Sequence, residues 1–302
     1  MKFTSYDNVH TFRAHTYDTL MRHEAQNLIL LGNVIIGCEG KDKSDWRDPA
    51  HWLMATVADG AGIRLCAVMT PPHNITLYAT DNIIDPAAVS CLIDGLEGRE
   101  IPGVMTDIRL AEHFAGEYTR RRGMSYSVNM KLRIHELTSV NPDTERIGRL
   151  RPMDEGDMAF FPYWLEAFYT VVHRNHDEKE MNIPQDAAHY RQRIAAGGLY
   201  VLEVGGVPVS MAGLRRDIQR VIGINCVYTP PYERRKGYAS AIVAGLSQLG
   251  LDRGFEKCVL YTDLANPISN SIYQKIGYRP VCDSLEIGFS SPLPAIHPST
   301  DV

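Results

Sequence analysis

The 302-residue sequence lacks the features that mark several protein classes. It contains no run of about 18 apolar residues, and its first residues carry no apolar core of the kind a signal peptide needs. Lys and Arg number 31 against 36 Asp and Glu, so the net charge of −5 lacks the basic surplus of a dedicated nucleic-acid binder. These absences predict a cytoplasmic protein with no membrane and no nucleic-acid partner.

Closely spaced cysteines are also missing. The six cysteines occur singly and mostly within apolar runs, which predicts buried, reduced thiols and neither a disulfide framework nor a zinc site. His173 and His176, with Asp177 and Glu178, could be drawn as a metal site, but an exposed polar helix end is the commoner meaning of such a stretch. We therefore predict that the protein holds no metal.

The chain divides into two halves that have a similar order of predicted helices and strands. Hydrophobic residues account for 44% and charged residues for 22% of the chain, which is typical of a globular protein. The turn signal Asn141-Pro142-Asp143 interrupts the pattern near the middle, and a helix, a hairpin, a strand and a helix are predicted on each side. We predict an α/β fold (α+β, mixed sheet) with domains at 1–140 and 149–290, a linker at 141–148 and a loose tail at 291–302.

A basic turn between a strand and a helix, "VYTPPYERRKGYAS" at 227–240, is the first functional candidate. Pro230 and Pro231 end the strand before it. Backbone N–H groups at the start of a helix have no intrahelical partner and favour anions, phosphates above all. A P-loop pattern and a dinucleotide-binding glycine pattern are both missing from the turn, which disfavours ATP and NAD. The helix after the turn is predicted from a stripe of apolar residues, Ala239, Ile242, Val243, Leu246 and Leu249.

The segment "LANPISNSIYQKIGYRP" is the second candidate. Asn266 is predicted as a helix N-cap with Pro267 in the first helical position, and Gly277 as the C-terminal stop. The spacing predicts a buried face formed by Ile268, Ile272 and Ile276. Tyr273 lies at the edge of that face, where a packing role is the ordinary one for a tyrosine.

Together the two segments resemble the signatures of the GNAT superfamily of acyl-CoA-dependent N-acyltransferases. Residues 234–239 match its pattern [Arg/Gln]-x-x-Gly-x-[Gly/Ala]. The pattern Asn-x-x-[Ala/Ser]-x-x-x-Tyr-x-x-x-Gly-[Phe/Tyr] is matched by Asn266, Ser269, Tyr273, Gly277 and Tyr278. The resemblance covers about residues 147 to 290. The first half is similar, in element order, to the degenerate N-terminal unit of tandem GNAT proteins. The fold implied is two GNAT-like units, each a mixed, mostly antiparallel sheet flanked by helices.

The resemblance implies acetyl-CoA as cosubstrate and gives roles to particular residues. The N–H groups of the turn would hold the pyrophosphate, the main chain of the strand would pair with the pantetheine arm and polarise the thioester carbonyl, and Asn266 would contact the arm. Tyr273 would be the general acid. The binding residues implied are Val227, Tyr228, Thr229, Arg234, Arg235, Lys236, Gly237, Tyr238, Ala239, Ser240 and Asn266.

Three functions stay open at this stage. The leading one is transfer of an acetyl group from acetyl-CoA to a primary amine by direct attack. The others are a non-catalytic acyl-CoA sensor or interaction module, and a transferase of another acyl group. Candidates for the general base are Asn225, Tyr228, Glu166, Asp263 or a water chain. Trp46 and Trp52 in the first half are candidates to line an acceptor cleft, or else to pack a core.

Overall fold

A computed structural model describes residues 1–40, 48–172 and 187–290 of the chain. The histidine-rich stretch 173–178, Trp46 and the tail 291–302 lie outside these residues. All six cysteines are thiols outside any disulfide, three of them buried and three partly buried. No helix within the described ranges is long and apolar enough to cross a membrane.

The described residues form eight helices and twelve strands. The helices are α1 (Val9–Met21), α2 (Leu28–Glu39), α3 (Pro86–Gly95), α4 (Ile108–Arg122), α5 (Phe161–Val172), α6 (Ala187–Ala195), α7 (Tyr238–Asp252) and α8 (Pro267–Ile276). The strands are β1 (Lys2–Ser5), β2 (Leu53–Asp59), β3 (Gly62–Met69), β4 (Ile75–Ala79), β5 (Gly103–Asp107), β6 (Ser125–Leu137), β7 (Arg149–Pro152), β8 (Leu199–Val204), β9 (Val207–Ile218), β10 (Val221–Tyr228), β11 (Lys257–Asp263) and β12 (Arg279–Ser290).

Contacts divide the chain into two compact units that interleave in sequence. The first unit takes the described residues of Met1–Thr19, Asp42–Asn129 and Ser284–Val302, and the second those of Leu20–Lys41 and Met130–Asp283. The end of β12 thus belongs to the first unit, and the end of β6 to the second. The domain boundary at 141–148 stays a prediction. In the division by contacts, each unit also contains chain from the other side of residues 141–148.

In the first unit, β1 to β5 follow one another across the sheet and the end of β12 completes it. Neighbouring strands pair antiparallel except β4 and β5, which are parallel. Helices α3 and α4 bury Leu92 and Phe114 against the sheet. Trp52, which precedes β2, is buried as well. The Asp85 carboxylate accepts from the Ala87 and Ala88 N–H groups and starts α3 as predicted.

In the second unit, the strand order is β6, β11, β10, β9, β8, β7. Only β10 and β11 pair parallel within this sheet. Alternate residues of β8 enter different cores: Tyr200 and Leu202 pack with α7 and α8, whereas Leu199 and Val201 pack with α5 and α6. The predicted fold class, mixed and mostly antiparallel sheets flanked by helices, is therefore confirmed.

Candidate functional site

Strand β10 separates from its parallel neighbour β11 part-way along its length. Val221–Gly223 pair with Lys257–Val259, and no pairing between the two strands is found beyond that in the described chain. Strand β10 nevertheless continues to Tyr228, and β11 continues to Asp263 while paired with β6. The sheet therefore opens between the ends of β10 and β11 and leaves main-chain groups of β10 without a strand partner on that side.

A β-bulge lies in β10 at the same level. Asn225 opposes Gly213 of β9 and Tyr228 opposes Met211. Between these two pairs β10 advances by three residues and β9 by two, so β10 contains one extra residue. Within this bulge Cys226 has a φ of 51°, in the left-handed region that non-glycine residues seldom occupy. A bulge bends its strand and re-aims the main-chain groups around it. This feature could not be predicted from the sequence, because cysteine carries no preference that would mark a left-handed residue.

The turn after β10 presents a row of free donors. The backbone N–H groups of residues 235–240 donate to no residue in the described part of the chain, and the first bond of α7 runs from the Ala241 N–H to the Gly237 carbonyl at 3.0 Å. Arg235 and Gly237 have φ values of 64° and 80°. Left-handed residues next to a helix start turn successive N–H groups inward and form an anion-binding concavity.

Side chains hold this turn in place. The Arg234 Nε donates to the Thr229 carbonyl at 3.0 Å, and the Lys236 Nζ lies 2.9 Å from the Glu233 carboxylate. The Ser210 hydroxyl donates to the Tyr228 carbonyl at 3.0 Å and lies 2.9 Å from the Thr229 Oγ1. Two of the three cations that the sequence placed toward a ligand thus make contacts within the turn. The backbone N–H groups of residues 235–240 and the Arg235 side chain make no such contact with the described residues.

Helix α8 starts as predicted but buries a different face. The Asn266 side chain accepts from the Ser269 N–H at 3.1 Å, and Gly277 is left-handed at the C-terminus. Tyr273 and Ile276 are buried, whereas Ile268 is 73% exposed, so its predicted place on the buried face is wrong. Residues four apart on a helix are offset by about 40°, so the stripe drifts by about 80° between Ile268 and Ile276.

Tyr273 lies in an apolar setting with its hydroxyl unengaged. The side chain is 8% exposed, and its ring centroid lies 6.0 Å from that of Tyr278 and 6.5 Å from that of His135. The hydroxyl makes no hydrogen bond to a residue of the described ranges. Burial raises the pKa of Tyr273 to about 12. The phenol therefore stays protonated at neutral pH and can donate a proton but cannot act as a base.

His135 is a buried histidine that was not among the predicted site residues. It lies on β6 opposite Leu260 of β11, and neither ring nitrogen has a hydrogen-bond partner among the described residues. Burial, followed by the charge of Arg133, lowers the pKa of His135. Strand alternation offered a signal, since it places His135 on the same face as the core residue Leu137.

Replacing His135 should make the protein less sensitive to acid. The unfolded chain gains a proton on this ring below about pH 6.5, whereas the folded chain resists it, so the contribution of His135 to stability is lost as the pH falls toward its lowered folded pKa. We expect His135→Leu to reduce the loss of unfolding free energy between about pH 7.5 and 5.5 by up to about 1 kcal/mol. Urea titrations at both pH values measure this, with the exposed His51→Gln as control. An equal loss of unfolding free energy in His135→Leu and wild type would contradict this role of His135.

The predicted base candidates lie in different settings. The Asp263 carboxylate accepts from the Ala265 N–H at 2.8 Å, which is a turn contact. Tyr228 is buried with its ring 6.1 Å from that of Trp164, and Glu166 on α5 is exposed. The Asn225 Oδ1 is buried without a hydrogen-bond partner among the described residues. The contacts of Asp263 and Tyr228 give each of them a structural role.

No group of three or more His, Cys, Asp or Glu side chains that could hold a metal occurs among the residues the structure describes. The free donors of the turn suit an anion, and they contain no acidic or imidazole ligand set of the kind a cation needs.

Comparisons with known proteins agree with this geometry. Residues 160–278 match the model of the acetyltransferase (GNAT) family. None of the curated proteins compared with the chain matches it. The second unit therefore carries a GNAT acetyltransferase domain, and members of that family generally use acetyl-CoA as the acyl donor.

Solved structures are similar over nearly the whole chain. An X-ray structure of a Drosophila protein aligns with a TM-score of 0.67 at 11% identity, over 95% of this chain and 98% of that one. A GCN5-related N-acetyltransferase from Sphaerobacter thermophilus gives 0.55 at 13%, over 99% and 98%. A tandem GNAT protein from the clavulanic acid biosynthesis pathway gives 0.54 at 9%, over 97% and 99%. At these identities the likeness shows the fold alone.

Proposed function

We propose that the protein is an N-acetyltransferase that moves an acetyl group from acetyl-CoA to a primary amine by direct attack of the amine. The observation that carries the proposal is the row of unpartnered N–H groups at residues 235–240. These donors lie at the start of α7, next to the opening between β10 and β11 and inside the domain that the family model matches.

The turn fits a pyrophosphate in charge and in shape. The N–H groups of Arg235 to Ser240 would bind the phosphate oxygens, with the partial positive charge of the α7 N-terminus behind them. Arg234 stiffens the turn through the Thr229 carbonyl, and Arg235 leaves its cation free of any ion pair in the described chain. A Cβ at Gly237 would lie 2.9 Å from the Ile147 Cδ1, so a side chain there meets protein atoms.

The open edge of β10 would hold the rest of the coenzyme. Val227 lies in the bulge and Tyr228 and Thr229 follow at its end. The main-chain groups of these three residues are proposed to pair with the pantetheine arm and to polarise the thioester carbonyl. Asn266 is proposed to contact the arm from the far side. The side-chain oxygen of Asn266 already caps α8, so the side-chain NH₂ group is left to donate a hydrogen bond to the arm.

Tyr273 is proposed as the general acid. When the amine nitrogen bonds to the acyl carbon and the carbon–sulfur bond breaks, the phenol would give its proton to the departing thiolate, while the amine loses one to a base or water. A pKa of about 12 keeps the phenol protonated until that step. Direct attack needs no enzyme nucleophile. The base stays open between Asn225, Tyr228, Glu166, Asp263 and a water chain.

The first unit is proposed not to bind coenzyme productively. Its helix α3 follows the parallel strand β4 and a short connection, which is the place α7 has in the order of the second unit. At its start, however, the Asp85 carboxylate occupies the Ala87 and Ala88 N–H groups, and Pro86 has no N–H. A negative charge in that position repels the phosphates that the free donors of residues 235–240 would attract.

Amine-dependent release of free thiol from acetyl-CoA tests the proposal. A panel of aminoglycosides, polyamines, amino acids and peptide N-termini should contain acceptors whose addition raises thiol release above the rate with coenzyme alone. Thermal stabilisation by acetyl-CoA without thiol release from any amine would contradict catalysis and favour the sensor. Faster release from succinyl-CoA or a longer acyl-CoA would favour the other acyl transfer.

A further inference from the structure

Two arginines lie together beside the bulge of β10. Arg193 on α6 places its guanidinium 3.8 Å from the Cys226 Sγ and 3.5 Å from the Tyr169 hydroxyl. Arg215 lies on β9 opposite Gly223 of β10, two residues before the bulge begins at Asn225. Burial, followed by the charge of Arg193, lowers the pKa of Arg215. One arginine therefore contacts the bulge of β10 itself, and the other lies on the neighbouring strand just before it.

A partly buried arginine normally pairs with a carboxylate, and neither Arg193 nor Arg215 does so within the described ranges. Among the residues the structure describes, no Asp or Glu forms an ion pair with Arg193 or Arg215, and the Arg193 Nε is enclosed without an acceptor. Elsewhere in this unit Arg133 binds the Asp283 carboxylate through two bonds, and Arg151 binds Asp157 in the same way. Burying unpaired like charges is costly, so a site that keeps them is organised for an anion.

Each arginine is partly exposed. Both side chains are partly buried, which leaves part of each in contact with solvent. The contacts that Arg193 does make are long ones, to a thiol and to a phenol, so guanidinium donors remain for a stronger acceptor. Arginine matches the planar, two-oxygen geometry of carboxylates and phosphates better than that of neutral groups.

We propose that Arg193 and Arg215 bind an anionic group, a carboxylate or a phosphate, of a reactant positioned at the β10 bulge. The inference rests on the proposed function, because it takes this bulge as the place where the reacting groups meet. The anion can arrive on the acceptor, as in an amino acid or an amine phosphate ester. It can also arrive on the acyl group, as in a dicarboxylic acyl-CoA.

Matched pairs of substrates separate these sources. The first arm compares acetyl transfer to α-amino acids and to their amides, and to phosphoethanolamine and ethanolamine. The second arm compares succinyl-CoA with acetyl-CoA on the same amines. In wild type we expect at least one anionic member to exceed its neutral partner about 10- to 100-fold in kcat/KM, the size of a charge-assisted contact. Arg193→Gln and Arg215→Gln should each reduce that ratio toward one.

Arg191→Gln is the matched control, since Arg191 lies on the same helix, is exposed and pairs with Glu155. It should keep the wild-type ratio. Equal kcat/KM for both members of every pair in wild type, or a ratio that survives in both variants, would overturn the inference.

Failure of the proposed function itself would look different, since no amine would then release thiol. In that event calorimetric titration of succinate and of phosphate into the full-length protein tests the anion site alone. Binding that is present in wild type and Arg191→Gln and lost in the Arg193→Gln/Arg215→Gln double variant supports the site. Binding equal in all three, or absent from wild type, overturns it.

Discussion

Gly237→Val should weaken the binding of acetyl-CoA about 100-fold, whereas Lys236→Ala should weaken it less than about threefold. Gly237 has a φ of 80°, which a β-branched residue adopts only under strain, and a side chain there would meet Ile147. Relief of the backbone strain would move the N–H groups on either side of Gly237, whereas the methyl end of Ile147 can shift aside. Lys236 already pairs with Glu233, so its loss removes only a surface cation. Calorimetric titration of acetyl-CoA measures both affinities.

Backbone strain by itself needs a control. Gly254, just after α7, has a φ of 95°, and an added Cβ there would meet nothing within 4 Å. Gly254→Val should therefore carry similar strain at the other end of the same helix and keep wild-type affinity. Tighter binding by Gly237→Val than by Lys236→Ala, or an equal loss in Gly254→Val, would contradict the assignment of the N–H cradle.

Tyr273→Phe should lower kcat about 10²- to 10⁴-fold, the range for a positioned proton donor. Coenzyme affinity should stay within about twofold, because the ring keeps its place against Tyr278 and only the hydroxyl is removed. In wild type, a pKa of about 12 keeps Tyr273 protonated, so kcat should show no alkaline decline from this group between about pH 7 and 10. Steady-state and pH-rate measurements with the best acceptor check these expectations.

Tyr278→Phe is the matched control for the loss of a buried phenol. Its hydroxyl lies 2.8 Å from the Ser247 hydroxyl in the core between α7 and α8. Removing it should lower the unfolding free energy by about 1 kcal/mol and leave kcat close to wild type. An unaltered kcat in Tyr273→Phe would exclude Tyr273 as the general acid, and an equal fall of kcat in both variants would point to packing.

The parts of the fold and site that depend on local rules could be predicted from the sequence. Asp85 and Asn266 are helix caps in the structure, and Gly277 is a left-handed stop, because capping is decided within a few residues. The turn after β10 could be read because proline, glycine and the apolar stripe of α7 follow one another directly. The fold class followed from the same order of helices and strands.

Features that arise from pairing between distant segments could not be predicted. The left-handed Cys226 follows from the register of β10 on β9, and the opening of the sheet follows from where β10 leaves β11. The burial of His135 depends on the pairing of β6 with β11, in which His135 opposes Leu260, a residue more than 120 positions later in the chain. The prediction that Ile268 is buried is wrong for a simpler reason. Residues spaced four apart do not stay on one face of a helix, because each is offset from the one before.

The central claim is that the N–H groups of Arg235 to Ser240 bind the coenzyme. Amide chemical shifts of the ¹⁵N-labelled protein during titration with acetyl-CoA test it most directly. The largest shifts should fall on residues 235–240 and on Val227 to Thr229, with none at Ala87 and Ala88 at the start of α3. Saturable binding that leaves residues 235–240 unshifted, or that shifts the start of α3 instead, would contradict the claim.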